Sequence, residues 1–407
     1  MILTAKWILP ITQPPIEDGA IAVRDGRIEG LGPCREFVNA DVEDLGDCVI
    51  MPGLVNAHTH LELSHLRRMI DPPGDLVEWL LWIVAKQHDL GHDPLRERTE
   101  TSVRAGVEES LAAGVTTIGD ISRLCALTRP LLRNGPLRVV SFGEVLGIGT
   151  GRHRVDERLR AAGDRQYDSD FLITALSPHA PYSIEDDGIE RVIRHAREHD
   201  MRTCIHLAES VEEIQFLETG QGRFRELLEQ IGVWDDLIPV PGHTPVRWMY
   251  ELGALGPECV IAHGNYVDAD EIDLLCATGT SVAYCPRTHS YFGHQHHPVL
   301  ELMGGGVNVC VGTDSLASNP SLSVLEELVH IRGAHAELPP DVILAMGTIN
   351  GARALGLAHE IGSLEPGKQA DFAVFRCADD LASHPEQTLL SSETTLDRLY
   401  IAGERIG

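Results

Sequence analysis

From Val49 to about residue 358, a short apolar run, a few polar residues and then a helical stretch recur eight times. The runs are "VIMPGLVNAHTH", "GVTTIGDIS", "LRVVSFGEVLG", "FLITALSPHAP", "RTCIHLAES", "CVIAHGNYV", "TSVAYCPRTH" and "VNVCVGTDS". Continuous apolar runs alternating with helices mark parallel strands buried on both faces. Eight units in this span fit a (β/α)8 barrel, an α/β TIM barrel, whose usual size is about 250 residues plus insertions. A doubly wound sheet is the rival, but no well-placed phosphate-binding glycine loop accompanies these runs. Helices are predicted in "DLVEWLLWIVAKQHDL", "RERTETSVRAGVEESLAAG", "IERVIRHAREHD" and "LSVLEELVHIRGAH". Two or three more are expected in the long segment after the fifth run.

The two ends of the chain have a different texture. Residues 1–50 and 359–407 read as short strands with Gly/Pro turns, and Asp25-Gly26 is a hairpin signal. They are expected to form one small β-sandwich domain beside a barrel over residues 51–358. The amino-terminal "MILTAKWILPITQPP" reads as an edge strand rather than a signal peptide.

The polar residues that interrupt the pattern collect at strand ends, where barrels of this kind carry function. They are His58, His60, His179, His206 with Glu209, His263, His289 and Asp314. Strand side chains alternate with period two, so His58 and His60 point the same way. On a helix the same pair would diverge by roughly 200°. Any one of these histidines could be an ordinary core or loop residue, but chance does not place them at six strand ends of eight. Three or four imidazoles with one carboxylate suit one divalent transition metal, zinc or iron, rather than Mg²⁺ or Ca²⁺. The expected ligands are His58, His60, His206 and Asp314, with a position left for water. Glu209, three residues past His206, is placed to move a proton between that water and a substrate nitrogen. The fourth run, "ALSPHAPYS", offers no lysine to bridge two ions, which favours a single metal and leaves His179 to face the substrate.

Charge and composition narrow the partners. A net charge of −28 argues against a nucleic-acid polymer and leaves a small-molecule substrate. The nine cysteines are scattered and never spaced C-x-x-C, as in a reduced, cytoplasmic protein. No apolar run approaches the roughly 18 residues that a membrane span needs.

The motifs "MPGLVNAHTHLELS", "SPHAPYS", "IHLAES", "IAHGNYV", "YCPRTH", "VGTDSLASN" and "INGARALGL…IGSLEPGKQADFAVF" resemble the amidohydrolase superfamily over nearly the whole chain. Within it they resemble the mononuclear deaminase and chlorohydrolase branch, which includes guanine, S-adenosylhomocysteine and aminodeoxyfutalosine deaminases and triazine hydrolases. The resemblance implies that His58, His60, His206 and Asp314 are metal ligands. It makes Glu209 a proton shuttle, His263 the residue that positions the attacked group, and His179 a contact to the ring or leaving group. It implies hydrolytic deamination: water activated at the metal attacks an amidine-like ring carbon, Glu209 protonates the adjacent ring nitrogen, Asp314 and His263 assist, and ammonia leaves. A homodimer is implied as well.

Some positions depart from the family pattern. His289 stands near a position where many relatives have asparagine. Where adenosine-type relatives hold ribose with a carboxylate, this chain offers Gln87 or His88, with Glu78 a turn or two earlier. Glu144 could read a ring N–H or a hydroxyl, or pair with an arginine inside the fold. Arg123 and Arg287 could bind an anionic group or serve as structural salt bridges. His65 reads as a bystander or pocket-edge residue, His294, His296 and His297 as substrate-loop or surface residues, and Trp79 and Trp82 as core. The loop "CPRTHSYFGH" and the long fifth insertion look like those of aminodeoxyfutalosine deaminase-like proteins, which feed menaquinone synthesis. Hydrolysis of another bond at the same site (C–Cl, amide or lactam) and a non-catalytic barrel scaffold are the alternatives.

Overall fold

The computed structural model describes residues 1–37, 41–67, 69, 74–89, 95–294, 296–377 and 384–406; the side chains of 87–89, which include Gln87 and His88, lie outside the described residues. Sixteen strands form two sheets among these residues. In the first are β1 (Ile2–Ile8), β2 (Ile16–Arg24), β3 (Arg27–Pro33), β4 (Glu43–Asp44) and β5 (Val49–Pro52). The second is the eight-stranded parallel barrel: β6 (Leu54–Thr59), β7 (Val115–Ser122), β8 (Arg138–Val145), β9 (Leu172–Pro178), β10 (Thr203–Leu207), β11 (Cys259–His263), β12 (Ser281–Tyr284) and β13 (Val309–Val311). The chain then returns to the first sheet with β14 (Phe372–Arg376), β15 (Thr395–Ile401) and β16 (Glu404–Ile406).

The barrel strands pair in chain order, and a parallel bridge between Thr59 and Asp314 brings the last strand back to the first. The His58 carbonyl accepts both the Thr313 and the Asp314 N–H across that seam. Helices α1 (Leu76–Asp89) and α2 (Leu95–Ala112) follow β6, α3 (Cys125–Leu132) follows β7, α4 (Val155–Ala162) β8 and α5 (Asp186–Glu198) β9. The segment after β10 carries three, α6 (Val211–Thr219), α7 (Arg223–Gln230) and α8 (Pro245–Glu251). Then come α9 (Ala269–Thr278), α10 (Pro286–Tyr291), α11 (Val299–Gly304) and, after β13, α12 (Val324–Ala334). Local sequence sets several boundaries. Asp268 and Glu271 form a capping box at α9, Ser210 and Ser323 cap α6 and α12, and Gly220 and Gly279 end helices in the left-handed conformation.

The chain ends meet in one curled sheet, ordered β16-β15-β14-β5-β1-β2-β3. Arg27 at the start of β3 bridges to Gln369, just before β14, so the sheet bends over its own core. β1 lies inside this sheet between β5 and β2, not at an edge; the edges are β3 and β16. Its N–H and C=O groups gain partners on both sides, which is what a seven-residue apolar strand needs. Asp25 and Gly26, both at positive φ, make the β2–β3 hairpin turn. Period-two alternation joins the two layers. Val49, Met51, Ala373, Phe375, Leu399 and Ile401 pack into the barrel core, whereas Ile50, Phe372, Val374 and Tyr400 pack into the small-sheet core. Asp371 ties them further: its carboxylate meets Arg138 of β8 at 2.5 Å and accepts the Ala402 N–H at 2.7 Å. No helix among the described residues is long and apolar enough to cross a membrane.

Candidate active site

His58 and His60 leave β6 on one face, as the strand period requires, and meet His206 from β10, His263 from β11 and Asp314 from just past β13. His60 Nε2 lies 3.2 Å from His206 Nε2. Asp314 Oδ1 lies 3.5 Å from His60 Nε2 and 3.8 Å from His58 Nε2. The ligand atoms of His58, His60 and Asp314 fall within 4.8 Å of one another, as do those of His58, His206 and His263. Three strand ends use the left-handed backbone region to aim this cluster: Ala208 at φ 52°, His263 at 74° and Asp314 at 56°. Such conformations cost about 1–3 kcal/mol each and persist where the surroundings over-determine them.

Those surroundings are visible. The Asp314 Oδ2 accepts from Ser318 Oγ at 2.8 Å. Glu213 accepts the backbone N–H groups of Ala208 and Glu209, and the Asn265 amide donates to the Glu209 carbonyl. His206 Nδ1 lies 3.0 Å from the His179 carbonyl, so Nδ1 carries the proton and Nε2 presents its lone pair to the cluster. The buried His58 Nε2 has no hydrogen-bond partner among the described residues.

The electrostatics are those of a cation site. Burial and neighbouring imidazoles hold His58, His60 and His263 well below the usual histidine range, and burial first, then His179, holds His206 at about 4. All four are neutral donors at physiological pH. Burial pushes Asp314 up to about 6, and burial with Asp314 and Glu213 pushes Glu209 well above the carboxylate range. A buried orphan nitrogen, neutral imidazoles and carboxyls that resist ionisation are all relieved by a divalent metal, which inverts the local charge balance. The donor set fits zinc or iron.

A cavity of about 170 Å³ opens above the cluster, lined by His60, Arg123, Glu144, His179, His206, Glu209, His263 and Asp314. Glu209 Oε1 stands 3.5 Å from His263 Nε2, and Glu144 Oε1 stands 3.5 Å from His179 Nε2. Glu144 is buried, and burial raises it; His206, Arg123 and Arg158 act the other way. Arg123 lies at the exposed rim.

His289 departs from the expected arrangement. It sits on α10, five residues beyond the end of β12, and packs against Tyr284, His294 and His297 rather than lining the cavity. The helical turn after β12 rotates it off the strand direction on which the expectation rested. Arg287 pairs with Glu326 and Ser321, a structural role. His65 is held by Ser102, His294 by Tyr266, and His297 Nε2 reaches the His263 carbonyl at 2.9 Å. His296 is exposed beside Glu301.

Several lining residues were missed by sequence reasoning. Glu62, Tyr182 and an apolar wall of Leu63, Leu76, Trp79, Leu80, Ile83 and Val84 complete the cavity. Trp79 packs in the core as expected, yet it also faces the cavity, and its buried indole N–H has no partner among the described residues. A buried indole N–H ordinarily finds an acceptor. The signal was available in "VEWLLW", where an indole sits on the first helix after the ligand-bearing strand.

The chain is similar to known proteins over almost its full length. A 5-methylthioadenosine/S-adenosylhomocysteine deaminase of Moorella thermoacetica is 32% identical, covering 89% of this chain and 82% of that protein. A zinc-bound adenosine deaminase from Xanthomonas campestris superposes with a TM-score of 0.84 at 25% identity, covering 99% of this chain and 92% of the other. The Helicobacter pylori aminofutalosine deaminase in complex with methylthio-coformycin shares the fold, with a TM-score of 0.89 at 22% identity and full coverage of both chains, 100% each. The amidohydrolase family model matches residues 49–406, which hold every strand of the barrel and the imidazole–carboxylate cluster, and the chain belongs to the amidohydrolase family.

Proposed function

We propose that this chain is a metal-dependent aminohydrolase that removes the amino group from an amino-substituted N-heterocycle, an aminopurine or a nucleoside-like compound. The observation that carries this reading is the buried Glu209 carboxyl, beside His263 and facing the imidazole–carboxylate cluster. A carboxyl buried in a cavity beside an imidazole can pass a proton to a ring nitrogen, and protonation there makes an aromatic amidine carbon more electrophilic. The relatives named as deaminases support the same reaction class.

His58, His60, His206 and Asp314 would hold one divalent metal, zinc by preference. When bound, the metal supplies Lewis acidity and a water acidic enough to be a nucleophile near neutral pH. Glu209, beside His263 in the cavity, would hold a proton and move it to the ring nitrogen. His263 fixes the position of the attacked centre, and Asp314 passes a proton to the departing amine. The Trp79 N–H offers a donor to a ring or ribose acceptor. Glu144 with His179 reads the far edge of the substrate, and the apolar wall of α1 excludes water. Arg123 at the rim meets whatever the heterocycle carries. The narrower substrate, aminodeoxyfutalosine, would place the protein in menaquinone synthesis. Homodimeric assembly and a cytoplasmic setting belong to the same reading; no disulfide joins cysteines among the described residues.

Ammonia release measured across methylthioadenosine, S-adenosylhomocysteine, aminodeoxyfutalosine, free aminopurines and chlorotriazines tests the proposal. Ammonia from at least one amino-heterocycle is the expected result. Chloride from a triazine without ammonia from any amine would replace deamination with the alternative hydrolysis.

A further inference from the structure

Buried thiols line the barrel strands. Cys310 Sγ donates to the Val282 carbonyl at 3.4 Å, and Cys285 Sγ to the Ala283 carbonyl at 3.8 Å. Cys204 differs: its sulfur faces His58 Nδ1 at 3.8 Å, inside the barrel and fully buried. Among the described residues this sulfur is the sole hydrogen-bond partner of the His58 ring. Cys204 and His206 are two apart on β10, so both point into the barrel, with the thiol one layer beneath the imidazole cluster.

We propose that Cys204 is a positioning residue for His58, its sulfur accepting the Nδ1–H and so fixing the tautomer whose Nε2 lone pair faces the metal. The proposal rests on the reading of His58 as a metal ligand. An imidazole that gives one nitrogen to a metal carries its proton on the other, and the partner of that proton orients the ring. His206 meets this need with a backbone carbonyl. His58 is buried below the cavity and meets it with a thiol. A neutral sulfur is a weak acceptor, sufficient to select a tautomer without adding the electron donation that a carboxylate partner would give.

The test compares zinc-loaded Cys204→Ala with Cys310→Ala, which removes a second buried thiol of the barrel, one whose sulfur donates to the Val282 carbonyl. Zinc affinity is read by competition with a chromophoric chelator, and the His58 Nδ1–H resonance by nitrogen-15 NMR. The expected result is a dissociation constant raised about tenfold in Cys204→Ala, with the resonance displaced, and neither change in Cys310→Ala. Unchanged affinity and resonance in Cys204→Ala would overturn the proposal. So would an equal loss of affinity in Cys310→Ala, since packing alone would then explain it. If Cys204→Ala does not fold, Cys204→Val carries the same two readouts. Full zinc retention by His58→Ala would instead remove the reading of His58 as a ligand, a failure distinct from the other two.

Discussion

On the proposed mechanism, much of the chemistry rests on one side chain, Glu209. Its carboxyl is buried, raised by its surroundings and 3.5 Å from His263. Glu209→Gln keeps the shape and the proposed metal ligands but cannot take up and return a proton. Turnover is expected to fall by about 10²–10⁴-fold while metal content stays at the parent level; unchanged turnover would take Glu209 out of the mechanism. Asp120 makes a second prediction. Its Oδ1 accepts the Leu61 N–H, its buried Oδ2 has no partner among the described residues, and burial lifts its pKa to about 8. The folded state therefore binds a proton that the unfolded chain releases above 3.8. The stability this proton provides is complete below that value and is lost as pH rises towards 8. Asp120→Asn should flatten this part of the stability–pH curve, read from thermal midpoints of both proteins across that range. An identical slope in both would show Asp120 to be ionised in the folded state.

At the scale of elements, strand periodicity made the cluster legible. His58 and His60 share a face only because β6 is a strand, and His206 and Asp314 stand at the ends of runs that read as buried strands. His289 fails on the same logic, because after β12 the chain turns at once into α10 and the period changes from two to 3.6. Trp79 was half legible. An apolar pattern all round α1 shows that the helix is buried but not which part of its surface meets a cavity instead of protein. Trp79→Phe retains the aromatic bulk and removes the N–H. A drop of about tenfold in kcat/KM with an unchanged thermal midpoint is expected, the loss of one buried hydrogen bond to substrate. An unaltered kcat/KM would confine Trp79 to packing. Cys204 had a sequence signal too, the same-face spacing Cys-x-His on β10, but only the closed barrel brings His58 over it.

Over the whole molecule, the eight-unit rhythm predicted the barrel, and the short strands and Gly/Pro turns of the two ends predicted a small β-sandwich domain, where one second sheet built from both ends is present. The placement of β1 inside that sheet was not readable, since an apolar strand of seven residues suits an edge or a centre alike. The union of the two layers was also hidden, because Asp371 and Arg138 lie 233 residues apart in sequence. Asp371 is 3% exposed and Arg138 packs over Phe171, so Asp371→Ala leaves a half-buried guanidinium without its carboxylate. A stability loss of about 3 kcal/mol is expected from urea unfolding, with kcat little changed because the pair lies at the opposite end of β8 from Glu144. A loss under about 1 kcal/mol would show that apolar alternation alone holds the layers together.

The central claim is a single-metal hydrolytic deaminase. It is tested most directly by stripping the protein with a chelator and following ammonia release from an accepted amino-heterocycle as zinc is returned. Activity should vanish on stripping and return linearly, saturating at about one equivalent per chain, as expected for one set of ligands with an open position. Undiminished ammonia release from the metal-free protein, or saturation only at two equivalents, would contradict it.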